Sequence, residues 1–178
     1  MLKAIDNRPP KTTMEVFKML PEGTRCELIS GTIYMSPAPT IYHQDVILTL
    51  GSELYQYVKT KKLGKVCISP IDVYLDNRKN AFQPDLLFVS SENENIIRED
   101  GIYGTPDLII EILSPGTKNF DLTKMKKIYE KTGVKEYWVI DPQTKVSIGF
   151  QLVDKKFQEF KKDKGKIVSL LLRHTFIF

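Results

Sequence analysis

The sequence predicts a mixed α/β or α+β domain, a central mixed β-sheet with helices packed on it. Three observations carry that prediction. The runs Leu86-Leu87-Phe88-Val89 and Leu108-Ile109-Ile110-Glu111-Ile112-Leu113 are apolar on both alternating faces, the mark of strands covered on both sides. Between Tyr42 and Lys59 the apolar residues Val46, Ile47, Leu50, Leu54, Tyr57 and Val58 recur at helical spacing. Strand-like and helix-like segments alternate along 178 residues, enough chain to bury one substantial core.

In chain order, residues 1–11 are polar and carry Pro9-Pro10, which predicts a loose arm ahead of a single domain over 12–178. Thr12 or Thr13 can cap a short helix through Met19, with Glu15 near its start. A hairpin follows, Arg25 to Ile29 and Thr32 to Met35, turned at Ser30-Gly31 and ended by Ser36-Pro37-Ala38-Pro39. The long helix comes next. Val66 to Ile68 and Ile71 to Leu75 read as extended, residues 76–80 as a turn, and the strand opened by Asp85 follows. Residues 90–105 are polar and irregular, with one helical turn near Ile96. The strand holding Glu111 stops at Ser114-Pro115-Gly116. A second helix starts near Asp121 and is closed by Gly133. Strands at 136–140 and through Phe150 follow, and a hairpin of 156–160 with 166–172 completes the chain.

The chemistry concentrates in two carboxylates set in apolar strands, Asp85 and Glu111. An ionised carboxylate in such a place costs several kcal/mol unless something compensates it. Two of them on neighbouring strands can share a divalent cation, the arrangement of a metal-dependent phosphodiesterase. Alternate strand residues share a face, so Glu111 lies deep and near the C-terminal end of its strand, where α/β proteins tend to hold ligands. Each has a bland alternative: Glu111 a buried pair with a lysine or histidine, Asp85 a cap on a neighbouring loop. Asp72 lies between Ile71 and Val73 and can face the same cleft as Asp85. Asp107, after a proline at a strand start, reads as structural.

Oxygen donors of this kind suit Mg²⁺ or Mn²⁺, which bind through one or two carboxylates together with waters and substrate phosphate. Cys26 and Cys67 have no metal-ligand spacing and read as reduced structural thiols. His43 and His174 make no zinc set. No Gly-x-Ser-x-Gly elbow, P-loop or Gly-x-Gly-x-x-Gly occurs. A net charge of +4 and a pI near 8.9 are compatible with a polyanion without demanding one. The late lysines, Lys155-Lys156 and Lys161-Lys162-Asp163-Lys164-Gly165-Lys166, form either a solvated hairpin or a phosphate-contacting edge. No apolar stretch approaches a membrane span and no signal peptide is evident, so a cytoplasmic protein is expected.

Several segments together carry a resemblance. Cys26-Glu27-Leu28-Ile29-Ser30-Gly31, Ser36-Pro37-Ala38-Pro39 with His43-Gln44, Gln83-Pro84-Asp85-Leu86-Leu87-Phe88-Val89, Pro106 to Pro115 and Gly133 to Pro142 resemble, in the same order, the Uma2 family. That family of candidate restriction endonucleases, also known as a domain of unknown function, is similar to the PD-(D/E)XK nuclease superfamily. The resemblance spans residues 12–160 and implies a restriction-endonuclease-like fold and a DNA substrate. It implies Asp85 and Glu111 as Mg²⁺ (or Mn²⁺) ligands, helped by the backbone carbonyl of Ile112. The ion there stabilises charge on the phosphate and lowers the pKa of an attacking water, while a lysine assists.

The lysine is where the chain departs from the pattern. Its place is Leu113 here. In branches where the lysine has moved to the next helix, four residues past the aspartate matching Asp121, it is Met125. Met125, Ile128, Tyr129 and Thr132 share one helix face, the one turned to the sheet. Lys124 and Lys126 lie about 100° to either side, and Lys124 is the preferred substitute. Glu27 and His43 match further positions of the family pattern and join Asp72 and Lys126 as additional candidates. The leading expectation is a Mg²⁺-dependent endonuclease; the main alternative is a catalytically silent nucleic-acid- or protein-binding module on the same fold. Hydrolysis of another substrate at the same metal site is a third reading. Cutting both strands of a duplex needs two sites, so a homodimer is compatible with it.

Overall fold

In the structure, a computed structural model, residues 9–75, 79–114 and 121–178 are described. The expected turn at 76–80, the stop at Ser114-Pro115-Gly116 and the arm over residues 1–11 lie partly outside that range. The mixed α+β class holds, with a difference in number: the described residues build two six-stranded sheets and one two-stranded unit.

Helix α1 (Thr13–Lys18) begins at a capping box, Thr12 Oγ1 accepting from the Glu15 N–H while the Glu15 carboxylate accepts from the Thr12 N–H. Strands β1 (Cys26–Ile29) and β2 (Thr32–Met35) form the expected hairpin. Its turn residues Ser30 and Gly31 both have positive φ, 53° and 84°, which matches the right-handed twist of the strands. Helix α2 (Ile41–Lys61) is 21 residues long, capped by Thr40 and ended by Lys62 in the left-handed region.

Six strands make the sheet that carries the two carboxylates. They are β3 (Gly64–Ile68), β6 (Leu86–Ser90), β9 (Leu108–Ile112), β10 (Glu136–Asp141), β11 (Val146–Val153) and β12 (Lys156–Lys164), in the order β12-β11-β10-β9-β6-β3. β9 runs parallel to β10 and antiparallel to β6. All five residues of β9 are buried, Glu111 among them, as a strand apolar on both faces and covered on both sides requires. One face, with Leu86, Phe88, Ile110 and Trp138, packs against Val46, Leu50, Leu54 and Val58 of α2. The other face, with Leu87, Val89, Ile109 and Tyr137, packs against Met125 and Tyr129 and against the second sheet.

That second sheet is built on the hairpin: β2-β1-β5-β4-β8-β7, with β4 (Val73–Tyr74), β5 (Ala81–Phe82), β7 (Ile97–Arg98) and β8 (Gly101–Tyr103). β7 and β8 fall in the 90–105 stretch that reads as irregular, β4 falls within the extended Ile71 to Leu75, and β5 sits between the 76–80 turn and the Asp85 strand. The polar stretch opens in a 3-10 helix, Ser91–Ile96. The second helix opens in a π turn, Asp121–Met125, and continues as α3 (Lys126–Thr132), with Gly133 at φ 91° closing it.

The last hairpin is not as expected. β12 pairs with β11, through a two-residue turn in which Asp154 and Lys155 have positive φ of 49° and 62°. β13 (Lys166–Ser169) pairs instead with β14 (His174–Ile177). Lys156, Lys161, Lys162 and Lys164 therefore lie along an edge strand, where Lys156 meets Glu130 at 3.0 Å, and Lys161 with Lys166 of β13 flanks Asp163 at 3.7 and 3.5 Å. Charge on an edge strand discourages strand addition.

A third strand-borne carboxylate, not singled out by the sequence, is Glu136 at the start of β10. It is 1% exposed and accepts from Trp138 Nε1 and from the Leu171 N–H, both at 2.7 Å. Burial raises its pKa against those hydrogen bonds. It ties the β13–β14 unit to the sheet.

Candidate active site

The antiparallel register of β6 and β9 sets Leu86 opposite Ile110. Asp85, one residue before β6, therefore meets the end of β9 at Glu111 and Ile112. The Ile112 N–H donates to Asp85 Oδ2 at 2.8 Å, and the Asp85 N–H points to Glu111 Oε2 at a long 3.4 Å. In an extended strand the N–H and C=O of one residue project from the same edge. The Ile112 carbonyl thus faces the Asp85 side, since the N–H of Leu113 turns the other way, to the Ile140 carbonyl at 2.8 Å.

The loop that presents Asp85 is fixed on both sides. The Ser69 N–H donates to the Asp85 carbonyl at 3.0 Å. Gln83 gives its side-chain amide to the Thr24 carbonyl and to Asp72 Oδ1, each at 3.0 Å, and its N–H to Glu27 Oε1 at 3.3 Å. Glu27 and Asp72 are thereby joined to the Asp85 loop through Gln83, and Asp72 also accepts from the Tyr74 hydroxyl at 3.1 Å. Burial, then the negative charge of Asp72, raises the Tyr74 pKa and keeps that hydroxyl a donor.

His43 comes from the third position of α2, where its N–H bonds the Thr40 cap at 3.3 Å. The cap fixes the helix start, and the helix start aims the imidazole: His43 Nε2 lies 3.1 Å from Asp85 Oδ2. The residue is 5% exposed, and its Nδ1 is buried without a hydrogen-bond partner.

Glu111, 8% exposed, accepts from the Tyr129 hydroxyl at 2.6 Å. Tyr129 is fully buried, its ring held edge-on between Phe82 and Tyr137. Burial first, then the charges of Glu111 and Glu27, push its pKa well above the ordinary phenol value. The hydroxyl stays protonated and donates to the carboxylate. Sequence reasoning placed Tyr129 on the sheet-facing side of its helix without giving it a role. The signal was there: a hydroxyl on a buried face, one turn beyond Met125, needs an acceptor.

Met125 is 1% exposed and packs in the same cluster as Tyr129. Of the flanking lysines, Lys124 is half-buried with its Nζ 5.4 Å from the centre of the Tyr34 ring. Tyr34 is the cross-strand partner of Glu27, so Lys124 stands at the hairpin that carries a site carboxylate. Lys126 Nζ sits 3.7 Å over the Phe150 ring on β11.

At the opposite end of β9, Asp107 is 2% exposed and bound by Lys135 Nζ at 2.6 Å, the Ser90 N–H at 2.8 Å and Asn93 Nδ2 at 3.2 Å. Burial raises its pKa, but these donors more than reverse that and hold it below the ordinary carboxylate value. It is a structural clamp.

Among the described residues no three His, Cys, Asp or Glu side chains cluster to chelate an ion unaided. Two carboxylates and a carbonyl are the donor set on hand. That set fits Mg²⁺ or Mn²⁺, hard ions that keep several waters and take the rest of their shell from a phosphate. It does not fit a closed zinc site.

The Uma2 family model, described as "Putative restriction endonuclease", matches residues 14–174. The fold resembles the crystal structure of "a putative nuclease belonging to DUF820" from Anabaena variabilis ATCC 29413, with a TM-score of 0.74 and 20% identity over 92% of each chain. No curated protein matches the chain.

Proposed function

The chain belongs to the Uma2 family, and from that premise we propose that it is a Mg²⁺- or Mn²⁺-dependent endonuclease hydrolysing phosphodiester bonds in DNA. The observation that carries the reading is the meeting of Asp85 and Glu111 at the ends of β6 and β9, beside the edge that presents the Ile112 carbonyl. Asp85, Glu111 and the Ile112 carbonyl would hold the ion. When bound, it supplies charge stabilisation at the phosphate and a more acidic water.

The remaining residues prepare that site. Tyr129 fixes the orientation of Glu111 through a charge-assisted hydrogen bond and leaves Oε2 directed toward Asp85. His43, with a proton on Nε2, and the Ile112 N–H both bond Asp85 Oδ2, which fixes the second carboxylate in the same way. Lys124, at the Tyr34 ring and on a long flexible stem, would meet the phosphate or orient the water. Glu27, through Gln83, helps hold the Asp85 loop in place.

A second reading is supported by Met125. An apolar residue fills the helix position from which a family lysine would reach inward; a chain that relies on that lysine would bind its partner without cutting it. The two readings separate in a nicking assay on supercoiled plasmid with Mg²⁺ or Mn²⁺. Metal-dependent nicking that is lost in Asp85→Ala and Glu111→Ala supports the endonuclease. Activity no greater than that of the two variants supports the silent module.

A further inference from the structure

The outer face of α2 is unlike that of a helix whose only task is to cover a sheet. Leu48 is 70% exposed and Tyr55 45%. Ile68, at the end of β3, is 53% exposed, and one of its methyl carbons lies 3.5 Å from where a side chain at Gly51 would begin. Gly51 is three residues after Leu48 and four before Tyr55, so the three apolar side chains adjoin. They do so beside β3, the sheet edge that leaves backbone groups open to pairing.

We propose that this face seats a second copy of the same chain, with α2 packed antiparallel on α2 about a two-fold axis at Ser52. The warrant is a stripe that complements itself. Asp45, Ser52 and Lys59 are all exposed, and each is seven residues from the next. Seven residues is nearly two helical turns, so the three lie on one line, about 10 Å apart. When two such helices cross antiparallel at Ser52, Asp45 of each copy falls level with Lys59 of the other, twice by symmetry.

The apolar residues obey the same operation. Leu48 lies four residues before the axis and Tyr55 three after it, so each Leu48 reaches the Tyr55 of the second copy. A serine at the crossing keeps the helix axes close, because contact side chains set the spacing. Ile68 is level with Gly51, one residue from the axis, and the two-fold keeps it on the same flank in both copies. The two β3 edges therefore approach each other. Parallel pairing would stack Asp45 on Asp45 and Lys59 on Lys59, so charge selects the antiparallel arrangement. The opposite sheet edge, β12, is lined with lysines and does not offer this.

Sedimentation of the full chain over about 1–100 µM tests the proposal. A mass moving from monomer to dimer is expected. Leu48→Glu should hold the chain monomeric, with circular dichroism unchanged because Leu48 is already in water. Asp45→Lys alone should weaken association about tenfold, and Asp45→Lys with Lys59→Glu should recover it, since the swap restores both cross-pairs. A chain monomeric throughout would overturn the proposal and leave the face to a different partner. A dimer indifferent to Leu48→Glu and to the charge reversal, or a swap that fails to recover association, would overturn it as well.

Discussion

Two carboxylates bracket β9, and their surroundings assign them opposite tasks. Asp107 has a lysine ammonium at 2.6 Å and two further donors. Glu111 is held by a phenol and faces a second carboxylate. A carboxylate held in one orientation and facing a second one is what a shared divalent ion requires, whereas a carboxylate saturated by donors is not. Tyr129→Phe removes the hydroxyl that donates to Glu111 while keeping the ring packed. It should weaken Mn²⁺ binding about tenfold by calorimetry, the scale on which groups supporting metal ligands act, with the melting curve still cooperative. Asp107→Asn should instead cost about 1–3 kcal/mol of stability at pH 7 and leave Mn²⁺ binding alone. The folded pKa of Asp107 is depressed, so its contribution is present above the unfolded value of about 3.9 and is lost as pH falls through the folded one. In urea melts, the gap between wild type and Asp107→Asn should close below about pH 4. At this scale the sequence showed Asp85 and Glu111 because a charge inside an apolar run is conspicuous. Tyr129 was hidden because an aromatic residue on a buried helix face looks like core until its hydroxyl is followed to its acceptor.

Elements were legible in proportion to how far local pattern decides them. α2 reads from its periodicity, α1 from its Thr12–Glu15 cap, and β6 and β9 from runs apolar on both alternating faces. β4 lies inside the Ile71 to Leu75 stretch that reads as extended, whereas β5 and β7 are two residues each and β8 three. Strands so short have no period to detect; pairing makes them, β5 on β1, β8 on β4 and β7 on β8. The final strands were mispaired for a related reason. Asp154-Lys155 makes a tight turn with positive φ at both positions without the Asn-Gly or Asp-Gly signature that announces one. Gly149, by contrast, has a direct structural reason. It pairs with Trp138, and a Cβ there would lie 2.7 Å from the indole, which is fully buried and cannot retreat. Gly149→Ala should destabilise the protein by about 1–3 kcal/mol, seen as a lower urea midpoint.

Across the whole molecule, the layers put the site deep, with the Asp85 side chain 13% and Glu111 8% exposed. The main sheet has α2 on one face and the second sheet with α3 on the other. Asp85 and Glu111 lie at the strand ends where hairpin, α2 and α3 converge, each supplying one supporting side chain: Glu27, His43 and Tyr129. No helix among the described residues is long and apolar enough to cross a membrane. Net charge of +4 is compatible with a polyanion without demanding one, and the lysine-lined β12 edge is a surface feature of the sheet rather than part of the site. Phosphate binding that used this edge would fall with salt; a reaction that used only the carboxylate end would keep its metal requirement at every salt concentration. Lys124→Ala should accordingly slow nicking at least about tenfold while leaving Mn²⁺ affinity unchanged, measured by plasmid nicking and calorimetry on the same preparation.

On the proposed reading, Asp85 and Glu111 jointly hold one divalent ion. Calorimetric titration of the full chain with Mn²⁺, without DNA, tests it free of any question of which DNA sequence is cut. One site per chain is expected, lost in Asp85→Ala and in Glu111→Ala and retained in Asp107→Asn. Binding that survives both alanine substitutions, or no binding by the wild-type chain, would contradict the account.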